Sequence, residues 1–311
     1  KIRSAIVLRR QWFDPEQTDA VRLINEEGDG LQGLIVDSYA NVLVMQISHP
    51  VLVPLQPFLQ SCLIEEVKPL AIYEKSTSFL RKREGLEEVR VHHYGEQCSN
   101  PVIKENGMRF AVDVEQGQKT GWFLDQRDSR DLIRSLANKR RVLNVFAYTG
   151  GFSIAALCGG AESVASVEIS AKCQPLLERN LALNHLDLQR HQFHGCDAFD
   201  FLKKQELNYD LIILDPPAFA KGRNSVPAAF RAYKELNRMV FAKAPPGSLL
   251  LTCSCSYHIE EDLFQNILFR AALEANRSVR ILSRHRQAID HPISIYHPES
   301  SYLKSFLLYL E

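Results

Sequence analysis

The feature that most constrains the fold is a regular alternation that begins near residue 142 and runs to 310. Strand-sized apolar runs fall at 142–146, 164–168, 191–194, 211–215, 249–253, 279–282 and 306–310. Segments of helical length and pattern separate them, at 152–157, 175–184, 198–205, 228–242 and 260–274. Alternating strands and helices predict a mostly parallel sheet with helices on both faces, because each parallel crossover lays a helix against the sheet. The fold class expected here is therefore α/β, Rossmann-like and doubly wound, with a small N-terminal α+β domain. The longest apolar runs, such as Leu211-Ile-Ile-Leu214, are strand-sized, so no membrane span is expected.

The preceding region has a different pattern. Strand-like runs occur at 34–36 and 42–47, a helix fits 52–67, and further strands fit 72–73 and 89–92. Asn106-Gly107 between the apolar runs 102–103 and 110–114 is a hairpin signal. At 311 residues the chain suits about two domains. The expected division is a small central domain over 11–97 and a second domain over 98–311 that includes the hairpin.

Lys plus Arg equal Asp plus Glu at 37 each, so any nucleic-acid contact must come from local patches rather than a global field. Arg81-Lys82-Arg83, Lys139-Arg140-Arg141, Lys221 and Arg223 are candidates, each open also to reading as solvated surface charge. Seven cysteines, an odd number with no Cys-x-x-Cys, favour a reduced, cytoplasmic protein. No metal site is expected, because Cys253 and Cys255 lack a partner motif of ligand spacing.

In an open parallel sheet, ligands bind beyond the carboxyl ends of the strands. Several strand ends here carry suitable residues. Phe146, Tyr148 and Thr149 lead into a small-residue turn at Gly150-Gly151 and then a helix, and such a turn lets a ligand approach the backbone. The turn is not Gly-x-Gly-x-x-Gly, which argues against a nicotinamide dehydrogenase. Glu168 ends the second strand, where a carboxylate can accept both ribose hydroxyls; Asp197 and Asp215 end the next two. Pro216-Pro217 stiffens the loop after Asp215 and offers Phe219 for stacking or for packing. Cys253 and Cys255 share one face of the fifth strand, with Cys255 nearer the crevice; a buried structural pair is the alternative.

Four motifs then occur in order: Gln-Gly-Gln-Lys-Thr-Gly-Trp-Phe-Leu-Asp-Gln-Arg-Asp-Ser-Arg over 116–130, Asn-Val-Phe-Ala-Tyr-Thr-Gly-Gly-Phe over 144–152, Asp-Pro-Pro-Ala-Phe over 215–219 and Ser-Cys-Ser over 254–256. In this combination the chain resembles the class I S-adenosylmethionine (SAM) methyltransferases that make 5-methylcytosine in large-subunit (23S) ribosomal RNA. Asp290-His-Pro292, Tyr302-Leu-Lys304, Arg22-Leu-Ile-Asn25, Gly28-Asp-Gly30 and Gly33-Leu-Ile-Val-Asp37 extend the likeness over most of the chain.

The resemblance implies a set of roles. Asp125, Gln126, Arg127 and the 146–151 turn would hold SAM, with Glu168 on the ribose, Asp197 on the adenine amino group and Asp215 between cofactor and base. Cys255 would be the nucleophile, with Asp215 as its catalytic partner; Pro216, Pro217, Phe219 and Lys221 would meet the substrate, and Tyr257 is a further stacking candidate. The implied partner is large-subunit rRNA, with no membrane or metal, in a monomer or a homodimer. Relatives carry an upstream RNA-binding PUA domain, and residues 1–10 are expected to be a remnant of it, in particular its last strand. The competing readings are methylation at guanine N7 or adenine N6, and a non-catalytic RNA-binding or ribosome-assembly module.

Overall fold

A computed structural model describes residues 1–220 and 222–311. The chain divides into two compact units, 1–127 with 288–300, and 128–287 with 301–311.

The first unit opens with helix α1 (Ile2–Arg10). This corrects the expected terminal strand. Ile2, Ala5, Ile6 and Arg9 recur at helical spacing, and Ala5, Ile6 and Arg9 are buried. The run Ile6-Val7-Leu8 that suggested a strand leaves Val7 44% exposed. A five-stranded sheet follows: β1 (Ala20–Asn25), β2 (Leu34–Tyr39), β3 (Val42–Ile47), β4 (Ala71–Ser76) and β5 (Val89–Gly95), side by side in chain order. Only β3 and β4 pair in parallel, and they are joined through helix α2 (Gln56–Val67). A parallel pair needs such a crossover, whereas antiparallel neighbours can be joined directly by turns.

The run Arg81–Arg83 lies in the short helix α3 (Phe79–Arg83). Arg81 is buried and donates to the carbonyl of Ile47, so it is not available to phosphate. Lys82 pairs with Glu88 at the surface.

The hairpin β6 (Val102–Glu105) and β7 (Met108–Ala111) turns on Asn106 (φ 50°) and Gly107 (φ 79°), the left-handed pair of a type I′ turn. It hydrogen-bonds to residues ahead of β1: Asp19 N donates to Lys104 O at 3.1 Å and Gly107 N to Gln17 O at 2.9 Å. The hairpin therefore belongs to the first unit, and the division falls at 127/128 rather than 97/98. Residues 288–300 also return to this unit, and Asp290 is buried there. Its Oδ2 accepts from Arg127 at 2.8 Å and from the backbone N of Arg22 at 2.9 Å. Burial pushes the Asp290 carboxyl up, but the charge of Arg127 and the hydrogen bonds around it outweigh burial and hold it well below the carboxylate range.

The second unit begins within helix α4 (Arg127–Leu136), an element not among those expected from the sequence. Strands β8 (Arg141–Val145), β9 (Ser163–Val167), β10 (His191–His194), β11 (Leu211–Leu214), β12 (Leu249–Ser254), β13 (Val279–His285) and β14 (Lys304–Leu310) form one sheet. Their order is β10-β9-β8-β11-β12-β14-β13. The first five are parallel; β14 runs antiparallel to both neighbours. Helices α5 (Gly151–Cys158), α6 (Gln174–Leu183), α7 (Ala198–Lys204), α8 (Val226–Lys243) and α9 (Glu261–Glu274) connect the strands. All residues of β11 and β12 are buried, as expected of strands covered on both faces. Chain order reverses direction between β8 and β11, which creates a crevice beyond their carboxyl ends.

Within the Lys139–Arg141 cluster, Arg141 is engaged by Asp210, at 3.1 and 3.0 Å, and Arg140 donates to the carbonyl of Leu136. No described helix is long and apolar enough to cross a membrane.

Candidate active site

The crevice is built from the loops that follow β8, β9, β10, β11 and β12. After β8 the backbone turns sharply, and Phe146 (φ 65°) and Tyr148 (φ 48°) both take left-handed conformations. Such residues cost energy and persist only where neighbours fix them. Here Ala147 N donates to Val167 O at 3.0 Å, and Asn180 Nδ2 donates to Thr149 O at 3.0 Å. From beneath, a buried polar thread joins Asn144, Ser153, Ser166 and His191 across four elements, with contacts of 2.9, 2.7 and 2.8 Å. Burial pulls the His191 ring down to about 4, so it joins this thread as a neutral partner.

Gly150 (φ 84°) ends the turn, and a Cβ there would lie 2.7 Å from Leu177 Cγ. The following residue, Gly151, starts α5. Thr149 Oγ1 is buried without a hydrogen-bond partner, and the turn is closed to any larger side chain at Gly150.

Glu168 organises the adjoining strand end. One carboxylate oxygen accepts from Tyr148 N and the other from Ser170 N, both at 2.9 Å. A carboxylate offers about four acceptor positions, so capacity for two hydroxyls remains. Beside it Ile169 is 70% exposed, an apolar face that sequence reasoning missed. Its signal was available: an apolar residue placed directly after a strand-end acid. Asp197 caps α7, its Oδ1 accepting from Phe199 N and Asp200 N at 2.9 and 3.1 Å.

The ends of β11 and β12 are laced together. Cys255 Sγ donates to Pro216 O at 3.7 Å. Ser256 Oγ accepts from Ala220 N at 3.1 Å and meets Tyr233 OH at 2.9 Å. Burial, then the charge of Cys255, pushes the Tyr233 phenol up to about 12, so it stays protonated. The Phe219 ring packs on Tyr233 with centroids 4.7 Å apart, and on Phe199 at 6.3 Å. This ring anchors the loop in the core, whereas Tyr257, next to Ser256, is 52% exposed. Pro216 is buried, Pro217 exposed and Asp215 half-buried at the strand end. Cys253 is fully buried in the core. Lys221 lies outside the described residues.

Asp125, Gln126 and Arg127 are buried in the first unit. Lys119 pairs with Asp125 at 3.1 Å, and the Asp125 carbonyl accepts from Ala288 N. The Arg127 guanidinium, which the resemblance assigns to the cofactor, is bonded to Asp290 and to Ala20 O at 2.7 Å. Among the described residues, no group of three or more His, Cys, Asp or Glu is arranged to hold a metal ion.

Comparison with known proteins identifies the family. Residues 77–294 match the model of the S-adenosylmethionine-dependent methyltransferase family. The chain is 39% identical over 310 residues to Ribosomal RNA large subunit methyltransferase I of Alteromonas mediterranea, covering 99% of this chain and 78% of the relative. The protein of the same name from Aeromonas salmonicida is 42% identical over 291 residues, covering 92% and 74%. Among solved structures, one from Streptococcus mutans, assigned provisionally to the SAM-dependent methyltransferases, superposes with a TM-score of 0.87 at 26% identity over 99% of this chain and 79% of its own. A second, of a protein provisionally assigned as a methyltransferase and complexed with S-adenosylhomocysteine (SAH), gives the same score and identity and covers 80% of that chain. The cofactor is therefore SAM, and the glycine turn after β8 fits it: a backbone kept bare at Gly150, an orphaned Thr149 hydroxyl and a strand-end carboxylate at Glu168. The chain belongs to the S-adenosylmethionine-dependent methyltransferases, in the group that contains the large-subunit ribosomal RNA methyltransferase I proteins.

Proposed function

We propose that this protein methylates C5 of a cytosine in large-subunit (23S) ribosomal RNA through a covalent bond between Cys255 and C6. The observation that carries the reading is the position of Cys255, at the end of β12 with its Sγ against the carbonyl of Pro216 in the Asp-Pro-Pro loop. Cytosine C5 is a poor nucleophile. Addition of a Cys255 thiolate to C6 makes C5 enamine-like and able to attack carbon, and loss of the C5 proton later expels the thiolate. SAM supplies an electrophilic methyl carbon. Methylation at guanine N7 or adenine N6 would need no such thiol, so the cysteine favours C5.

Glu168 takes the ribose hydroxyls while still bracing Tyr148 and Ser170, and Ile169 gives the adenine an apolar face. Asp197 keeps Oδ2 for the adenine amino group, since both capping bonds use Oδ1. Asp215 hydrogen-bonds the target cytosine and steadies its adduct. Pro216 and Pro217 shape the base pocket. The base must be unpaired or flipped to enter, and Tyr257 is better disposed than Phe219 to stack on it. The proposal rests on residues of the second unit. The names of the relatives supply the RNA class.

The test is transfer from methyl-labelled SAM to unmodified large-subunit rRNA, followed by digestion to nucleosides. Label in 5-methylcytidine supports the reading. Label in a methylated guanosine or adenosine leaves the methyltransferase and overturns the covalent mechanism.

A further inference from the structure

The end of β12 holds a buried cation to which the mechanism above gives no part. Lys304, the first residue of β14, is 4% exposed and lies opposite Ser254 in the antiparallel pairing. Its ammonium donates to Ser256 O at 2.8 Å and to Tyr302 O at 2.6 Å. Ser256 directly follows Cys255, so the ammonium is held one residue from the thiol, and the two interact electrostatically. Two neutral carbonyls orient a buried ammonium but do not neutralise it, and a buried charge without a counter-charge is costly.

We propose that Lys304 is a positioning residue for Cys255: it fixes the strand-end turn through the Ser256 carbonyl, and its positive charge stabilises the Cys255 thiolate. The functional meaning rests on Cys255 being the nucleophile, but the pairing is measurable without turnover. Burial pulls the Lys304 ammonium down to about 8, while charge at Cys255, then at Glu260 and Glu261, acts in the opposite direction. Glu261 is itself paired with Arg284 at 2.9 Å. Tyr233, which interacts with the thiol, is protonated at neutral pH, and Asp215 follows β11 just past its Leu214–Thr252 pairing with β12. The phenol and the carboxylate both oppose a thiolate when charged, whereas the Lys304 ammonium favours it.

The test is the pH profile of Cys255 alkylation by iodoacetamide, followed on its own peptide by mass spectrometry, with the other cysteines as internal references. In Lys304→Gln the midpoint for Cys255 should rise by about one unit or more, the effect of a unit charge within about 10 Å at an effective dielectric of about 20. Lys304→Arg should restore it. An unchanged Cys255 midpoint in folded Lys304→Gln overturns the proposal. Should that variant fail to fold, the reciprocal measurement decides: in Cys255→Ser, the titration of Lys304 followed by ¹³Cε NMR should move to lower pH, because linkage is symmetric. No movement there contradicts the pairing. Loss of methyl transfer in Cys255→Ala is a separate result and tests the nucleophile alone.

Discussion

Gly150 offers the sharpest test of how the turn after β8 is built. An alanine there would have to hold φ near 84° and place its Cβ 2.7 Å from Leu177 Cγ and 3.0 Å from Cδ1. The left-handed backbone costs an L-residue about 1–2 kcal/mol. Forcing a methyl into a packed site adds about 1–3 kcal/mol, and reduced freedom of the unfolded chain returns about 0.4–1 kcal/mol. The net expectation for Gly150→Ala is a loss of roughly 1–4.5 kcal/mol. Both tryptophans, Trp12 and Trp122, lie in the first unit, so their fluorescence cannot report this loss. Hydrogen exchange of the β8 and β9 peptides can. Leu177→Ala removes the steric part and leaves the backbone part. The double variant should then be about 1–3 kcal/mol more stable than the sum of the singles predicts. Gly150→Ala within about 0.5 kcal/mol of wild type, or strict additivity with Leu177→Ala, would show that the Gly150–Leu177 contact does not shape the turn.

Three further outcomes follow from the same geometry. Ser256→Ala leaves Ala220 N and Tyr233 OH without their shared partner, at about 1–3 kcal/mol; faster exchange of the 215–220 backbone with unchanged SAM affinity is the expected result. Asp290→Asn strips Arg127 of its buried counter-charge and should cost the first unit about 3–5 kcal/mol, read as a shifted urea midpoint of tryptophan fluorescence. His191 is held near 4 in the folded chain, against about 6.5 when unfolded, so its contribution to stability is complete above pH 6.5 and is lost as the pH falls toward 4. Because the ring is partly exposed, that loss should be roughly 1–2 kcal/mol, and His191→Gln should flatten the slope of stability between pH 6.5 and 4.

The second unit was largely legible in the sequence because its strands are covered on both faces and form unbroken apolar runs bounded by turns. Those turns also hold the candidate site residues, so the order of residues alone puts Glu168, Asp197, Asp215 and Cys255 at strand ends. The first unit was less legible. Helix α1 hides its apolar stripe behind Arg9, whose charge is buried against Asp29 at 2.6 Å, and hydropathy gives no weight to such a pair. The unit boundary depends on the return of Asp290 across more than half the chain, a contact that local pattern cannot reveal. Phe219 was ambiguous for a different reason: an aromatic after Pro-Pro suits a base or a core equally, and only the Tyr233 ring beside it distinguishes them.

The central claim is that Cys255 bonds to cytosine C6 during turnover. RNA carrying 5-fluorocytidine tests it directly, because fluorine at C5 cannot be removed as a proton and the final elimination fails. With SAM present, the account predicts a covalent protein–RNA complex whose digest places the nucleotide on Cys255, and none with Cys255→Ala. A complex mapped to another residue, or methylated product released without any trapped complex, would contradict it.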